Sequence, residues 1–531
     1  MSGDRFDFIV VGAGSAGAVL AARLSENGRA RVLLLEAGPR GRSPWLRIPI
    51  GYAKTFDEPT YNWCYETEAD AGGRRIFWPR GKVLGGSSAI NGLIYIRGQR
   101  ADYDHWRQLG NAGWSFDDVL PYFKRAEDQE RGADDLHGTG GPIGVSNLRL
   151  RHPLSEAFIA AAEEAGIPRN DDFNGPRQEG AGYYQLTTRR GLRSSTAATY
   201  LKAARRRPNL AIRTEALVSR ILLEGGRAVG VAYVRGGREE RAMAAREVVI
   251  SAGTVNAPQI LQLSGIGPPE VLKAAGIAVA HALPGVGRNL QDHYQARSVY
   301  RCSQPITFND GRKSLLRQAF WGLDFLLFRR GPMTIGAGQV GCFVRTRAGI
   351  EDADVQFHFF TMSSDKPGWL LHDFPGYSAT ICQLRPESRG EIAIASADPA
   401  APPAIRPHYL STALDRETTV AGLKLARKIS RMPAFAPYLA GEVLPGDAVR
   451  TDDEFLDYAL HNGASIFHPV GTCKMGRDPM AVVDDRLLVH GIAGLRVADA
   501  SIMPTLVSGN TNAAAIMIGE KAADLIRRPP A

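Results

Sequence analysis

The sequence predicts an α/β protein that combines a Rossmann-like domain with a second, α+β domain built on an antiparallel sheet. Near the N-terminus, the buried-strand pattern of 6–11 leads into the glycine-rich turn 12–17, a helical segment and a second strand at 31–36. Within 301–460, the segments VQFHFF, SATICQL and GEIAIA are apolar or alternate in the manner of strands. The first pattern predicts a βαβ unit of a parallel sheet, and the second predicts a separate sheet.

The composition is that of a folded, enzyme-sized chain. Its 531 residues are 44% hydrophobic and 22% charged, which is ordinary for a globular protein and argues against disorder. No apolar stretch has membrane-spanning length, and the N-terminal segment lacks the pattern expected of a signal peptide. The five cysteines lie far apart without C-x-x-C spacing, so we expect no disulfide framework, no metal site and a cytoplasmic location.

The formal charge of +9 raises the question of a polyanionic partner. The arginines are scattered in pairs rather than clustered, so no nucleic acid is expected. The segment LLRQAFWGLDFLLFRRGPM (315–333) has helical apolar spacing and a basic end, which suits a core helix or an interfacial one. We favour core packing and retain peripheral contact with the inner membrane face as the alternative.

The turn GAGSAG carries the residues that a dinucleotide requires. Gly12 allows a tight turn, Gly14 lets the backbone approach a pyrophosphate, and Gly17 permits close packing of helix on strand. The following helix offers its N-terminal amides to the phosphates, and Glu36 can accept hydrogen bonds from a ribose diol. This unit predicts dinucleotide binding, but it does not distinguish NAD from FAD because both contain adenosine diphosphate.

A second glycine-rich loop, RGKVLGGSSAINGLIYIRG (80–98), favours FAD. It can present small polar groups and backbone amides to a flat ring, and a nicotinamide enzyme has no need of it. Three short strands are predicted within 209–253, a further strand within 495–504 and a helix over 508–526. We therefore expect N- and C-terminal segments to build one cofactor domain.

Several segments resemble signatures of the glucose-methanol-choline (GMC) family of FAD-dependent oxidoreductases. These are GKVLGGSSAINGLIYIRG, GTVNAPQILQLSGIG, HPVGTC and SGNTNAA, which occur in the family's order. With FWPRGKVLGGSS, they are most similar to bacterial dehydrogenases of choline and of primary aliphatic alcohols, more so to the latter. The resemblance implies the GMC fold and non-covalent FAD, because Ile90 stands where some choline-oxidising members carry the histidine that tethers the flavin.

The predicted domains are discontinuous. The FAD-binding domain is expected to comprise 1–155, 192–300 and 461–531, and the substrate-binding domain 156–191 and 301–460. The predicted cofactor-binding residues are Gly12, Gly14, Ser15, Gly17, Glu36, Ala37, Val83, Gly85, Gly86, Ser87, Asn91, Gly92, Leu93, Ile94, Val218, Ala252, Asp499 and Ala500.

The resemblance assigns catalysis to His468, with Asn512 as its partner at the face of the flavin. An alcohol is a poor acid, so its hydroxyl proton needs a positioned base, and a neutral imidazole suits this task near pH 7. A hydride leaves the α-carbon for flavin N5, either together with the proton or in sequence with it. Asn512 is expected to position the substrate oxygen and to lie in the first turn of a helix whose dipole stabilises charge on the reduced flavin. Pro469 restricts the backbone of His468 to an extended conformation and so helps to aim the ring.

Other reactive side chains are interpreted as structural. Cys473, with Lys474 and Met475 beside it, could suggest thiol chemistry, but a single cysteine without a second histidine nearby is more typical of packing. His293 and His490 are also predicted to be structural.

The expected reaction is the oxidation of a primary alcohol to an aldehyde, with electrons passed to a quinone or another non-oxygen acceptor. The aromatic side chains that suit an apolar alcohol, although core filling explains each equally well, are Trp321, Phe357, Phe359 and Trp369. No carboxylate for a quaternary ammonium can be identified, so choline is a second candidate substrate. Sorbose or another polyol is a third candidate, and an oxidase that uses O₂, a flavin-containing lyase and a non-catalytic flavin-binding protein also stay open.

Overall fold

Two seven-stranded sheets organise the chain. The computed structural model describes residues 4–365 and 370–528. In spatial order, the first sheet contains Leu210–Arg213, Val32–Leu35, Asp4–Val11, Arg238–Ile250, Arg227–Arg235 and Ala216–Glu224, and Leu495–Val497 also pairs with Arg238–Ile250. The second sheet contains Leu439–Leu444, Tyr294–Cys302, Gly376–Gln383, Val355–Phe360, Val340–Val344 and Gly180–Tyr183, and Ala464–Ser465 pairs with Tyr294–Cys302.

The parallel half of the first sheet aligns the carboxyl ends of its strands. Val11 is level with Leu35 on one side and with Ile250 on the other, and Ile250 is level with Val497. The residues that follow these strands must therefore emerge at one edge of the sheet. In α/β folds this edge is where ligands bind.

The predicted strands of 209–253 are present, but they number four instead of three. The additional break falls between Leu210–Arg213 and Ala216–Glu224, where Glu215 has a φ of 57°. The last three strands form an antiparallel meander, and the long strand Arg238–Ile250 continues from this meander into the parallel half. One continuous strand thereby joins two kinds of sheet.

The second sheet is antiparallel throughout, which confirms the predicted α+β partner of the Rossmann-like region. Its central strands include VQFHFF and most of SATICQL, whereas Glu391–Ala393 of GEIAIA pairs separately with Ala404–Arg406. Tyr294–Cys302 lies wholly in this sheet, although most of it falls in a segment predicted for the other domain. The domain boundaries stay a prediction.

The helices cover both sheets. They are Ser15–Leu24, Tyr52–Thr55, Arg100–Gln108, Phe116–Ala126, Pro153–Glu164, Lys202–Ala204, Gly253–Leu263, Pro269–Ala274, Phe308–Arg312, Leu315–Phe328, Ala413–Ser430, Asp452–Asn462 and Asn512–Arg527. The last helix packs on the first so closely that a Cβ built on Gly519 would lie 2.7 Å from Ala16 O. This contact brings the N-termini of the two helices to the same edge of the first sheet.

The preference for core packing of 315–333 was wrong. The helix Leu315–Phe328 forms as predicted, but Phe325 is its only buried residue. Trp321 is half-buried and stacks on Phe308, so only one edge of the helix faces the protein. Throughout 4–365 and 370–528, no helix is long and apolar enough to cross a bilayer.

Candidate active site

A cavity with about 2330 Å³ of empty space, counting its open mouth, lies between the two sheets. One end is lined by the turns at the carboxyl edge of the first sheet, including Gly12, Glu36 and Ala252. The other end is lined by the second sheet and by His468. A long ligand could therefore contact both predicted regions, the dinucleotide turn and the candidate base.

Two glycine-rich loops meet at the first end of the cavity. Gly12 has a φ of 94°, and a Cβ built on it would lie 2.5 Å from Ser251 O, so a side chain cannot be accommodated. Gly86 has a φ of 51°, and its Cβ would lie 2.7 Å from Gly14 Cα. The loops thus touch backbone to backbone, which leaves their amides close to a bound pyrophosphate.

Glu36 is held at this end by two backbone amides. Its Oε2 accepts from Ala13 N at 2.9 Å and its Oε1 from Gly38 N at 2.9 Å. Burial raises the pKa of Glu36 to about 7, although both hydrogen bonds oppose this shift. The second lone pairs of this fixed carboxyl group remain able to accept hydroxyl donors of a ribose.

Asp499 occupies a similar position after the strand Leu495–Val497. Its Oδ2 accepts from Gly253 N at 2.8 Å and its Oδ1 from Ser501 N at 2.8 Å. Gly253 begins the helix Gly253–Leu263, and the N-terminus of Asn512–Arg527 also lines the cavity. These helix ends suit phosphate groups and the charge of a reduced flavin.

Fifteen of the eighteen predicted cofactor residues line the cavity, and Gly17, Val83 and Gly85 do not. A Cβ on Gly17 would lie 1.9 Å from Gly12 O, so this glycine serves the packing of the helix on the turn. Val83 is fully buried in a small apolar cluster, and Gly85 N donates to Ala13 O at 2.8 Å. All three residues support the loops from behind.

His468 is held by its backbone at the second end. Its backbone N donates to Asp292 Oδ1 at 2.7 Å, and the other oxygen of Asp292 accepts from the Ser465 and Tyr409 hydroxyls. Burial raises the pKa of Asp292 to about 6. Because Pro469 also restricts this backbone, the orientation of the imidazole is determined by several contacts.

A hydrogen-bonded chain assigns the protons of the His468 ring. His293 Nε2 lies 3.0 Å from Leu384 O, which can only accept, so His293 carries its proton on Nε2. Its Nδ1 must then accept from His468 Nδ1, at 3.0 Å. His468 Nε2 is therefore left with a lone pair, and burial holds the pKa of His468 well below its usual range.

The predicted pairing of His468 with Asn512 is replaced by a contact with Asn510. Asn510 Nδ2 lies 3.1 Å from His468 Nε2, and Asn510 Oδ1 accepts from Gln356 Nε2 at 3.2 Å. Asn512 Oδ1 instead accepts from Ser15 Oγ at 2.8 Å. Asn512 is the first helical residue and faces the neighbouring helix, whereas Asn510 still lies in the turn that passes His468.

His358 is a site residue that sequence analysis did not identify. It lines the cavity and is 2% exposed, and neither ring nitrogen has a hydrogen-bond partner within the described residues. Burial lowers its pKa to about 3. The strand VQFHFF could have indicated this role, because side chains alternate along a strand and Gln356, His358 and Phe360 therefore share one face.

The aromatic residues proposed for substrate contact have other positions. Phe357 and Phe359, on the opposite face of that strand, are fully buried in the core, so core filling accounts for them. Trp321 lies on the exposed helix and does not line the cavity, and Trp369 lies outside the described residues. Other large apolar residues that line the cavity are Tyr52, Phe56, Trp63, Phe360, Met362, Leu371, Ile466 and Phe467.

Two arginines, also missed from the sequence, are the cations of this cavity among the described residues. Arg80 Nη2 donates to Phe467 O at 2.6 Å, and burial lowers its pKa to about 10. Arg297 Nη1 donates to Ser364 O at 3.0 Å and to Ser364 Oγ at 2.8 Å, and burial lowers its pKa as well. Within the part of the chain that the structure describes, neither arginine forms an ion pair with a carboxylate that lines the cavity.

Of the three side chains that were predicted to be structural, one contacts the candidate base and two do not. His293 contacts the candidate base directly, so its role is not confined to packing. His490 Nε2 lies 3.1 Å from Gly476 O and does not line the cavity. Cys473 is fully buried, and burial raises the pKa of its thiol well above the usual value, which is the opposite of nucleophile activation.

The residues present fit FAD. The two loops and Glu36 provide the contacts of an adenosine diphosphate, and the helix N-termini line the same cavity as these loops and His468. Ile90, which lines the cavity, cannot form the histidyl tether. Attachment without a covalent bond is therefore still expected.

Comparisons with known proteins agree with this arrangement. Family models described as GMC oxidoreductase match residues 6–295 and 386–519. The chain is 43% identical over 541 residues to "Choline dehydrogenase, mitochondrial" of Homo sapiens, covering 100% of this chain and 91% of that protein. It is 43% identical over 528 residues to "Oxygen-dependent choline dehydrogenase" of Vibrio vulnificus (strain YJ016), covering 98% of this chain and 94% of that protein.

Solved structures show the same fold. Pyridoxine 4-oxidase from Mesorbium loti matches with a TM-score of 0.89 and 33% identity, covering 98% of each chain. A formate oxidase from Aspergillus oryzae RIB40, studied for FAD modification, matches with a TM-score of 0.93 and 27% identity, covering 99% of each chain. The chain therefore belongs to the GMC oxidoreductase family and is an FAD-dependent enzyme that oxidises alcohols.

Proposed function

We propose that the protein oxidises an uncharged primary alcohol to an aldehyde, with His468 Nε2 as the base. The observation that carries this proposal is the chain from Leu384 O through His293 to His468, which leaves the Nε2 lone pair at the cavity. The low pKa of His468 keeps the imidazole neutral and ready to accept the hydroxyl proton. Asn510 Nδ2 donates to this lone pair at 3.1 Å, and it would transfer that hydrogen bond to the substrate oxygen when the alcohol approaches Nε2.

FAD would be held by the glycine-rich loops, Glu36 and the helix N-termini. When bound, it supplies N5 of its ring as the acceptor of the hydride. The chain's own contribution is to orient the alcohol, to remove its proton at His468 Nε2 and to exclude water with the apolar walls of the cavity.

The charges of the cavity support an uncharged substrate in preference to choline. Within the described residues, its carboxyl groups are Glu36 and Asp499, and both accept backbone amides at the predicted dinucleotide contacts. Arg80 and Arg297 provide the fixed charges elsewhere in the cavity. A quaternary ammonium group there would be desolvated next to two arginines, and the described residues that line this part of the cavity offer it no carboxyl group, whereas the apolar walls suit an alkyl chain.

Anaerobic mixing of the holoenzyme with 1-octanol, choline or sorbose would test this proposal through the flavin absorbance. We expect 1-octanol to bleach the flavin with the highest second-order rate constant. The substitution Arg297→Gln should raise the rate constant of flavin reduction by choline, relative to that by 1-octanol, about tenfold. This ratio corresponds to about 1.4 kcal/mol of relieved repulsion. Preferential reduction by choline or sorbose would reject the substrate assignment, and absence of reduction by all three would favour a lyase.

We also propose that a quinone or another non-oxygen acceptor removes the electrons, and that the protein works in the cytoplasm at the inner membrane face. The exposed apolar side chains of the helix Leu315–Phe328 support a lipid-soluble acceptor. The five free cysteines support a reducing compartment. After anaerobic reduction, the flavin should be reoxidised faster by a short-chain ubiquinone analogue than by air-saturated buffer, and the reverse order would identify an oxidase.

A further inference from the structure

The helix Leu315–Phe328, called here the apolar helix, directs its hydrophobic side away from the protein. At 3.6 residues per turn, Leu316, Phe320, Leu323 and Leu327 form one line along the helix, with Leu315 and Leu326 beside it. Phe325 and Trp321 lie on the opposite side and contact the protein. The large apolar side chains that are each 54% to 85% exposed are Leu315, Leu316, Phe320, Leu323, Leu326, Leu327 and Phe328.

This pattern is the reverse of an ordinary surface helix, which buries its apolar stripe and exposes its polar one. Seven adjacent large hydrophobic residues also exceed the isolated exposed residues that are normal for a soluble surface. Elsewhere in the described chain, the exposed large hydrophobic residues are scattered: Leu109, Val279, Leu370 and Met480. The apolar helix therefore needs a partner that covers it.

Cations surround the apolar stripe. The basic residues of 312–330 are Arg312, Lys313, Arg317, Arg329 and Arg330. Asp324 is the single acidic residue in this range, and it is paired with Arg330 at 2.8 Å. Basic groups thus lie at both ends of an apolar face, as in helices that lie in the interface of an anionic bilayer.

The apolar helix lies next to the mouth of the cavity. Phe308, which stacks on Trp321 with ring centroids 4.9 Å apart, belongs to the preceding short helix. The neighbouring Asn309 donates from Nδ2 to Ser363 O and to His372 O, both at 3.0 Å. Residues 362, 364 and 371 of the segment held in this way line the cavity. Leu370, which precedes the cavity-lining residue 371, is 87% exposed.

We propose that the apolar helix docks the protein on an anionic lipid bilayer, with the cavity mouth beside the membrane surface. A second copy of the chain is a poorer partner, because a two-fold contact through antiparallel helices would bring the basic ends together. A bilayer instead receives the leucine and phenylalanine side chains among its acyl chains and the arginines among its headgroups. Given the proposed function, a lipophilic alcohol or quinone would then reach the cavity from the membrane.

Co-sedimentation of the full-length holoenzyme with vesicles would test this surface. The helix variant Leu316→Glu/Leu323→Glu is compared with the control Leu109→Glu/Val279→Glu, which adds the same charge at exposed apolar positions elsewhere. With phosphatidylcholine vesicles containing phosphatidylglycerol, we expect the partition constant to fall at least about tenfold for the helix variant and less than about twofold for the control. Binding of the wild type should weaken on pure phosphatidylcholine and in high salt.

Equal binding of the helix variant and the wild type would overturn the proposal. It would also be overturned if the wild type ignored vesicles and formed a dimer in sedimentation velocity that the helix variant dissociated. Alcohol oxidation with a soluble dye as acceptor is measured in parallel without lipid. Unchanged dye-linked turnover in the helix variant would show that its active site is intact. Absence of turnover in the wild type would refute the proposed function, but it would leave the conclusion from the vesicle experiment unchanged.

Discussion

Replacing His293 by phenylalanine removes the hydrogen bond that assigns the protons of His468. The phenyl ring preserves much of the volume of the imidazole, but it cannot accept from His468 Nδ1–H at the 3.0 Å contact. His468 then has two choices within the buried site. It can keep this proton on an unpaired Nδ1, or it can move the proton to Nε2 and lose the lone pair that faces the substrate.

The magnitude follows from the cost of the first choice. A buried donor without a partner costs about 1–3 kcal/mol, and the catalytically competent tautomer becomes less favourable by this amount. We therefore expect the rate constant of flavin reduction by alcohol to fall about 5- to 150-fold. His293→Gln retains an amide oxygen to accept from His468 and an N–H group for Leu384 O, so it should recover most of the loss.

Anaerobic stopped-flow measurement of flavin reduction, as a function of pH and alcohol concentration, would check this expectation. His490→Phe is the matched control, because His490 contacts Gly476 O outside the cavity. Thermal unfolding and flavin content would show whether each variant is folded. A rate constant for His293→Phe within twofold of the wild type, or equal losses in the phenylalanine and glutamine variants of His293, would refute the tautomer argument.

Three further outcomes test the site. Glu36→Ala should raise the dissociation constant of FAD about 10- to 100-fold, measured by flavin fluorescence on dilution, while the exposed Glu224→Ala should not. Asn510→Ala should slow flavin reduction at least about tenfold more than Asn512→Ala, and the opposite order would return the role to Asn512. Because burial lowers the pKa of His358 from 6.5 to about 3, the unfolded chain takes up this proton first as the pH falls. Between about pH 7 and pH 5, the free energy of unfolding of the wild type, measured with urea, should therefore fall by about 2 kcal/mol relative to that of His358→Phe. A difference between the two proteins that does not change with pH would contradict this expectation.

The elements of the fold were predictable wherever a local pattern specifies them. The turn at Gly12, the strand before it and the acid at Glu36 form a continuous unit, and glycine is required there because a Cβ would strike Ser251 O. The period of two in VQFHFF also predicted a strand of the second sheet. The extra break at Glu215 was missed because one residue of positive φ leaves little trace in hydrophobic periodicity.

The candidate site was predictable only in part, because its contacts join distant segments. His468 and the cofactor loops could be proposed from motifs, but the contact of His293 with His468 spans 175 positions. The choice between Asn510 and Asn512 depended on where the last helix begins, and helix termini are difficult to place from sequence. His358 belonged to a strand whose inward face was unknown until the sheets were packed together.

The sequence by itself determined the glycine turns, the alternation of strands and helices, the family signatures and the apolar character of the segment 315–333, because these depend on neighbours along the chain. Only the tertiary structure decided which side chains meet at the cavity and that the apolar helix faces outward. An apolar helix has the same sequence pattern whether protein or another medium covers it. Burial, pKa and the position of a proton depend on what lies across the cavity, and that is a property of the packed chain.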